Sequence, residues 1–274
     1  MVRATHSVPV AGRIALYAAV IAGAMYALQD RLLYHPGSES LQEILQFAKS
    51  LELQPWPDAD AYRGWIAAPA LGQTHGTILV FHGNGGLALH RGHYADALVP
   101  RGYRVLLVEY PVYGARPGKL GEEAFVSDAV ETLSLAQRAF GDPILVYGES
   151  LGAGVAAAAV ARAGVSVAGV AMITPWTTLP DIAQDAFWFL PARYMVRDRY
   201  DNIANLNQWG GPVAVVIAAR DEIIPAQHGE RLYEALTTVK RRWVFPESGH
   251  NGWPIEPGHR WWGEVLDFLV ANRR

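Results

Sequence analysis

The stretch Gly148-Glu149-Ser150-Leu151-Gly152 decides the fold of this chain. It follows the apolar run Ile-Leu-Val-Tyr at 144–147 and precedes the small apolar residues at 153–160. A buried strand, the pattern G-x-S-x-G and a small-residue helix, in this order, predict a nucleophile elbow, the sharp turn that holds a serine oxygen out at the end of a sheet. Because the chain has 27 glycines, the pattern alone also fits a glycine-rich turn without chemistry. The surrounding sequence therefore has to decide.

Apolar runs and helical patterns alternate along most of the chain. The predicted strands are 62–67, 77–81, 104–109, 143–147, 167–173, 212–218 and 241–245, and the predicted helices are 41–51, 88–99, 122–140, 227–236 and 254–271. Near-continuous apolar strands that alternate with helices predict an α/β protein with a mostly parallel sheet covered on both faces. Ligands bind such sheets at the carboxyl ends of the strands, where the elbow also lies.

Composition limits the classes of function that the chain can have. Its 274 residues are 51% hydrophobic and 18% charged, which predicts a folded globular protein. The net charge of −3, with no basic run, argues against nucleic acid as a partner. The sequence contains no cysteine, so thiol catalysis and cysteine-ligated zinc are excluded. No cofactor is predicted, because neither the dinucleotide pattern nor the P-loop pattern occurs.

Two residues that follow predicted strands complete the chemistry that Ser150 needs. A serine hydroxyl is a poor nucleophile until a base takes its proton, and the base needs an acceptor that orients it. Asp221 and His250 each follow a predicted strand, in the chain order Ser, Asp, His. We therefore predict Ser150 as the nucleophile, His250 as the base and Asp221 as the residue that orients it.

Other titratable residues compete for these roles. Glu222 is an alternative acid directly after Asp221. His259 is an alternative base, but it falls within the predicted terminal helix, where no strand end presents it. His90 and His93 are spaced i, i+3 on a predicted helix and could bind a metal, but no carboxylate motif accompanies them. We predict a solvent-facing pair there and no metal site.

The loop His82-Gly83-Asn84-Gly85-Gly86 follows the predicted strand 77–81. An oxyanion hole needs two N–H donors aimed at the developing negative charge. We predict that one is the backbone N–H of Leu151, directly after the nucleophile, and that the other is the backbone N–H of Asn84 in this loop. A phosphate-binding loop is the alternative, since glycine-rich loops before helices also bind anions.

Residues 175–209 are longer than an ordinary crossover and are rich in aromatic side chains. We predict a small helical cap over the site, with an excursion packed at the sheet edge as the alternative. Large apolar side chains are candidates for an apolar acyl pocket. The candidates are Trp176, Phe187, Trp188, Phe189 and Trp253. Core packing is the alternative for each of them.

The first 35 residues differ from the rest of the chain. The run 14–28 carries no charge, and extending it back to Val8 adds only Arg13. A membrane span needs roughly 20 apolar residues, and this run, extended back to Val8, predicts a membrane anchor. The basic residues Arg3 and Arg13 before it predict that the N-terminus lies in the cytoplasm and the main domain outside it. Two alternatives are open. One is a signal peptide cleaved after residues 22–24, which gives a secreted protein, and the other is a helix packed on a soluble cytoplasmic domain.

Together these motifs resemble the α/β-hydrolase superfamily, and within it the Bem46-like branch with its ABHD13-like and ABHD17-like serine hydrolases. The matching motifs are 32–36, 82–85, 110–114, 148–152, 190–202, 221–225 and 249–251. The resemblance implies an eight-stranded, mostly parallel sheet over a hydrolase domain at 36–274, and membrane attachment through the N-terminus. Pro111 and Arg116 depart from the branch's pattern and alter a loop near the site.

The resemblance also implies a serine hydrolase that acts on esters or thioesters, often of acyl chains. We therefore predict a cofactor-free hydrolase that forms a covalent acyl-enzyme on Ser150. A peptidase or amidase of the same fold is one alternative. A non-catalytic, membrane-anchored binding domain is another, and the presence of all three triad residues disfavours it.

Overall fold

The computed structural model of the chain describes residues 10–37, 39–70, 74–141 and 143–273. Within these ranges the strands are β1 (His35–Pro36), β2 (Gln54–Trp56), β3 (Gly64–Ala67), β4 (Gly76–Phe81), β5 (Gly85–Gly86), β6 (Tyr103–Val108), β7 (Ile144–Glu149), β8 (Gly169–Ile173), β9 (Val213–Ala218) and β10 (Lys240–Phe245). The α-helices are α1 (Val10–Leu33), α2 (Leu41–Ser50), α3 (Gly92–Leu98), α4 (Glu122–Phe140), α5 (Leu151–Arg162), α6 (Leu179–Ala186), α7 (Asn202–Trp209), α8 (Gln227–Ala235) and α9 (Trp261–Ala271).

One eight-stranded sheet forms the centre of the molecule, in the order β10-β9-β8-β7-β4-β6-β3-β2. The strands from β10 to β6 are parallel, and β3 and β2 are antiparallel at one edge. Every residue of β4, β7, β8 and β9 is buried, because helices cover a parallel sheet on both faces. The predicted α/β-hydrolase fold is confirmed.

The elbow helix α5 is central to one face of this sheet. Its residues 151–160 are all buried, and it lies against the sheet, α4 and α7. Alanine and glycine have little or no side chain, so neighbouring elements can approach the helix closely on every side. The small-residue run in the sequence is therefore a packing requirement of this helix.

Two predicted helices differ from the observed ones. The region predicted as one helix at 88–99 is a 3₁₀ turn over Ala88–Arg91, then α3, then a second 3₁₀ turn that contains Pro100. The terminal helix begins at Trp261 rather than at residue 254. Pro254 and Pro257 lie in residues 254–260, which are not helical, because proline lacks the N–H that a continuing helix needs.

The predicted membrane anchor is not supported by the structure. Helix α1 has 24 residues, but no helix among the described residues combines the length and the hydropathy that crossing a membrane requires. Arg3 and Val8, which contributed to the prediction, lie outside the described residues.

We call residues 175–209, which contain α6 and α7, the cap segment. The end of α1 packs against it. The carboxylate of Asp30 pairs with Arg197 at 2.5 Å, and the side-chain oxygen of Gln29 accepts from the Arg197 backbone N–H at 2.8 Å. An apolar cavity of about 280 Å³ lies between α1 and the cap segment. The end of α1 therefore forms one side of the cavity next to the cap segment.

Candidate active site

Ser150 is the single residue between β7 and α5. Its backbone has φ 52° and ψ −117°, a region that residues other than glycine rarely adopt. Two glycines make this turn possible. A Cβ atom at Gly148 would lie 2.7 Å from Ala153 Cα, and one at Gly152 would overlap the carbonyl of Phe81. The strand, the strained serine and the helix have the geometry of a nucleophile elbow.

The structure brings Ser150, His250 and Asp221 together. His250 Nε2 lies 3.0 Å from Ser150 Oγ, and His250 Nδ1 lies 2.7 Å from Asp221 Oδ2. Ser150 is 8% exposed, and the other two side chains are also buried. A carboxylate can only accept, so the ring donates its Nδ1 proton to Asp221, and Nε2 is left free to take the proton of Ser150.

The loop after β9 fixes the Asp221 carboxylate. Asp221 Oδ1 accepts from the backbone N–H groups of Ile223 at 2.9 Å and Ile224 at 2.7 Å. Charge-assisted bonds of this kind are stronger than bonds between neutral groups. They hold one oxygen against the loop, so the other oxygen faces His250.

The rival acid and the rival base have other partners. Glu222 Oε2 accepts from the backbone N–H of His250 at 3.0 Å, so it holds the histidine loop and not the ring. His259 Nδ1 accepts from the Trp261 N–H at 3.3 Å, and its ring packs edge-on against Phe245. His259 precedes α9 instead of lying within it, so its predicted placement is wrong.

The two predicted oxyanion donors lie on segments that flank Ser150. Leu151 is the first residue of α5, so its N–H has no partner within the helix. The loop after β4 lies directly against the elbow, since a Cβ at Gly83 would be 3.5 Å from Ser150 Cβ. Asn84 is the next residue of that loop.

A buried network that the sequence did not reveal supports this loop. The Glu109 carboxylate accepts from the Ala88 N–H at 3.1 Å, and it lies 3.0 Å from His82 Nε2. The Tyr110 hydroxyl donates to the His82 carbonyl at 2.7 Å. The start of the predicted oxyanion loop is thus tied to the end of β6.

A second network lies beneath the elbow. Glu149, the residue before the serine, is buried and accepts from Arg91 Nε at 3.0 Å and from the Tyr94 hydroxyl at 3.1 Å. The pair ties the end of β7 to the region around α3. No sequence pattern indicates this network, because these residues are 55 and 58 positions from Glu149.

His90 and His93 do not form a shared site. His90 Nδ1 accepts from the Leu87 N–H at 3.1 Å, and the ring of His93 packs against Tyr94 and Trp253. Burial lowers the pKa of His93. His90 is exposed as predicted, but His93 is half-buried, so the prediction of a solvent-facing pair is wrong for His93.

Two of the predicted pocket residues belong to the core. The ring centroid of Trp253 lies 5.6 Å from that of Trp261 and 5.9 Å from that of Trp262. Trp176 is buried and packs edge-on against Tyr200. Core packing, the alternative stated for these tryptophans, is what the structure shows.

The other predicted pocket residues follow α6. Trp188 is 80% exposed and Phe189 is 65% exposed, so neither lines an enclosed pocket. Phe187 alone of the candidates lines the apolar cavity between α1 and the cap segment, together with residues such as Leu33, Leu179 and Ala186. The sequence could not reveal this cavity, because one of its walls exists only where α1 packs on the cap segment.

Known proteins resemble the chain in sequence. A family model described as serine aminopeptidase, S33, matches residues 72–199. The chain is 31% identical over 274 residues to the uncharacterized protein MT2364 of Mycobacterium tuberculosis, covering 97% of this chain and 96% of that protein. It is 27% identical over 204 residues to the lysophosphatidylserine lipase ABHD12 of Danio rerio, covering 68% of this chain and 53% of that protein.

Solved structures resemble it in fold. An esterase of Pyrococcus furiosus matches with a TM-score of 0.63 at 16% identity, covering 88% of this chain and 99% of that one. A monoacylglycerol lipase of Paleococcus ferrophilus matches with a TM-score of 0.57 at 19% identity, covering 77% of this chain and 98% of that one. Likeness at these identities shows the fold. With the fold and the relatives in agreement, the chain belongs to the α/β-hydrolase superfamily and to the same family as the mycobacterial protein MT2364.

Proposed function

We propose that this protein is a serine hydrolase that cleaves carboxylic esters or thioesters through a covalent acyl-enzyme. The observation that carries the proposal is the chain of two hydrogen bonds from Ser150 through His250 to Asp221, at 3.0 Å and 2.7 Å. A base and an orienting carboxylate in this relation to a serine on an elbow are the arrangement that activates a serine hydroxyl.

The first half of the reaction acylates the enzyme. As Ser150 Oγ attacks the carbonyl carbon of the substrate, its proton passes to His250 Nε2. The N–H groups of Leu151 and Asn84 donate to the oxyanion that forms, and each such donor contributes about 10²- to 10³-fold in turnover. The bond from the carbonyl carbon to the leaving oxygen or sulfur then breaks, and His250 gives its proton to the leaving group.

The second half removes the acyl group. A water molecule attacks the acyl-enzyme carbonyl while His250 Nε2 takes one of its protons. The bond to Ser150 Oγ breaks, the proton returns to that oxygen, and the carboxylic acid leaves. Asp221 keeps the imidazole in one orientation and stabilises its positive charge during both halves.

The apolar cavity supports an acyl chain as part of the substrate. It holds about 280 Å³ between α1 and the cap segment and is lined almost entirely by carbon. Leu33 is one of its walls, and the carbonyl of Leu33 accepts from Asn84 Nδ2 at 2.5 Å. Leu33 therefore links the wall of the cavity to the proposed oxyanion loop, and burying a chain in the cavity contributes about 0.8 kcal/mol per methylene group.

Peptide or amide hydrolysis is the second candidate function. The observation that favours it is the description of the matching family model, serine aminopeptidase. An amide requires His250 to protonate the leaving nitrogen before the carbon–nitrogen bond can break, whereas an ester places a weaker demand on this step. Comparing an ester with the anilide of the same acid separates the two candidates.

We also propose that the chain belongs to the Bem46-like branch. Two motifs that carry that resemblance, at 32–36 and 190–202, meet in the structure. The Tyr34 hydroxyl donates to the Asp198 carboxylate and lies 3.1 Å from the Tyr200 hydroxyl. Motifs that lie far apart in the chain and pack together support a shared family-specific arrangement.

The test is a kinetic comparison of p-nitrophenyl esters, the matching thioesters and the matching anilides, for the wild type and for Ser150→Ala. We expect the wild type to hydrolyse esters and thioesters, with a burst of p-nitrophenol when deacylation is slower than acylation, and we expect the variant to be inactive. Ester turnover that survives in Ser150→Ala would overturn the proposal. Higher kcat/KM for the anilide than for the ester would favour the peptidase.

A further inference from the structure

The side chain of Asn84 binds the backbone at the end of helix α1 and directly after it. Its Nδ2 donates to the Leu33 carbonyl at 2.5 Å, and its Oδ1 accepts from the His35 N–H at 3.3 Å. The Tyr113 hydroxyl also donates to this oxygen, at 3.1 Å, and to the Asn84 carbonyl, at 2.8 Å. One amide group thus joins the oxyanion loop to the residues on both sides of Tyr34.

The same segment pairs with the loop as a short strand. His35 and Pro36 in β1 pair in parallel with Gly85 and Gly86 in β5. The Gly37 N–H continues the pairing with a bond of 3.4 Å to the Gly86 carbonyl. Glycines restrict their own backbone very little, so a loop that contains Gly83, Gly85 and Gly86 depends on outside partners to hold one conformation.

Tyr34 anchors this segment in the interior. It is 2% exposed, and its ring lies edge-on to Phe125 at 5.0 Å. Its hydroxyl donates to Asp198 and lies 3.1 Å from the Tyr200 hydroxyl. Burial raises the pKa of Tyr34 well above its usual range, so the hydroxyl keeps the proton that it donates.

The anchor also reaches the second oxyanion donor. The ring of Tyr200 packs against α5, where a Cβ at Gly154 would lie 2.8 Å from the ring. Helix α5 begins with Leu151, which supplies the other N–H. The segment after α1 therefore contacts the loop that carries one predicted donor, and it is linked to α5, which carries the other, through Tyr200.

We propose that residues 33–36 position the oxyanion hole and that Asn84 is the positioning residue through which they act. This inference rests on the proposed function. An oxyanion donor is effective only if it is already oriented before the charge develops, because reorganisation during the reaction would consume its benefit. The two side-chain bonds to residues 33 and 35 hold the backbone N–H of Asn84 in place, so the N-terminal segment belongs to the catalytic scaffold.

The first test variant is Asn84→Asp, which keeps the size of the side chain and replaces the donor to the Leu33 carbonyl with an oxygen that repels it. We expect kcat for a p-nitrophenyl ester to fall by about 10- to 100-fold, the range that follows when a reacting or stabilising group is displaced by about 1 Å. KM should change little, because the lost interaction stabilises only the transition state.

A second readout separates positioning from a general loss of structure. A trifluoromethyl ketone forms a tetrahedral adduct with an oxyanion, whereas the uncharged primary alcohol of the same chain length binds without a negative oxygen. Asn84→Asp should weaken binding of the ketone by the same factor as kcat/KM and leave the inhibition constant of the alcohol unchanged. Tyr34→Phe, which loses only the hydroxyl that anchors the segment, should show a smaller change in the same direction.

Asn207→Asp is the matched control. Asn207 is a similar amide link elsewhere, with Nδ2 donating to the Ala235 carbonyl at 3.1 Å and Oδ1 accepting from the Thr237 N–H at 2.8 Å. We expect this variant to keep the wild-type kcat and ketone affinity, even where its melting temperature falls as far as that of Asn84→Asp.

Two results would overturn the inference. If the wild type shows Ser150-dependent turnover and both Asn84→Asp and Tyr34→Phe match Asn207→Asp in kcat and ketone affinity, residues 33–36 do not position the hole, and the proposed function stands. If the folded wild type shows no Ser150-dependent turnover, the proposed function and this inference both fail.

Discussion

The two sides of the candidate active site are built in different ways. Ser150, Asp221 and His250 each follow a strand of the parallel part of the sheet, so the topology alone brings them to one edge. The predicted oxyanion side depends on contacts between distant residues, such as Asn84 with Leu33, which are 51 positions apart, and Tyr34 with Asp198, which are 164 apart. The sheet alone thus positions the predicted nucleophile, whereas packing of the N-terminal segment and the cap segment holds the predicted oxyanion loop.

The largest effect should come from the side that the sheet delivers. Ser150→Ala removes the nucleophile, and we expect kcat for esters to fall by about 10⁴- to 10⁶-fold, in line with removals of triad residues in other serine hydrolases. The melting temperature should stay close to that of the wild type, because alanine fits the same space. A fall of less than tenfold in kcat would show that this side of the site is not catalytic.

The next largest effect should come from the apolar cavity between α1 and the cap segment. Ala186→Trp fills the apolar cavity between α1 and the cap segment, so kcat/KM should fall roughly tenfold for every two methylene groups that the cavity no longer accepts. The acetate ester should be unaffected. Ala235→Trp, at an exposed position at the end of α8, is the control. Equal losses of kcat/KM for short and long esters would show that the acyl chain does not occupy the cavity.

A pH effect should also arise on the cap side. His228 of α8 is buried, with Nε2 2.9 Å from the Asp185 carboxylate of α6, and burial lowers its pKa. A histidine whose pKa is lower in the folded state contributes stability above the unfolded value of about 6.5, and that stability is lost as the pH falls from there through the folded pKa. We expect the free energy of unfolding to decrease from pH 7 to pH 5.

Denaturant titrations across this pH range can show whether His228 causes the decrease in the free energy of unfolding. His228→Gln should show a shallower decrease than the wild type, and His75→Gln, at an exposed position, should follow the wild type. An unchanged slope in His228→Gln would mean that the contact between α8 and the cap segment does not titrate in this range.

The smallest effect concerns backbone strain at Val112, beside the predicted oxyanion loop. Val112 has φ 72°, an unusual conformation for a β-branched residue, and its neighbour Tyr113 bonds to Asn84. Val112→Gly should raise the free energy of unfolding by about 1 kcal/mol, because the left-handed conformation costs roughly 1–2 kcal/mol in other residues. Val112→Ala, which keeps a Cβ, should gain less. A loss of stability in Val112→Gly would show that the valine side chain contributes more by packing than it costs in strain.

The same comparison explains what the sequence could predict. The elbow, Asp221 and His250 were predictable because each is a short motif next to an apolar run, and parallel strands end at the same edge. The pairing of β1 with β5 was not, since it joins two residues to two glycines and has no apolar pattern. For Trp253 the sequence left core and pocket open, because a large aromatic residue after a strand fits either place.

The role of the Asn84 side chain was missed for a related reason. Its partners are mainly backbone groups of residues 33 and 35, and backbone partners leave no mark in the identity of the residues that supply them. The predicted role used only the N–H of Asn84, which any residue at this position would provide. The Asn84 side chain acquires these partners only when α1 packs on the domain.

The most direct test of Ser150 as the nucleophile is labelling with a fluorophosphonate, which reacts covalently with activated serines. The folded wild type should be labelled, peptide mass analysis should place the label on Ser150, and Ser150→Ala should remain unlabelled. His250→Ala should react far more slowly, because the hydroxyl has lost its base. A folded wild type that is not labelled, or that carries the label on another residue, would contradict the claim that Ser150 is an activated nucleophile.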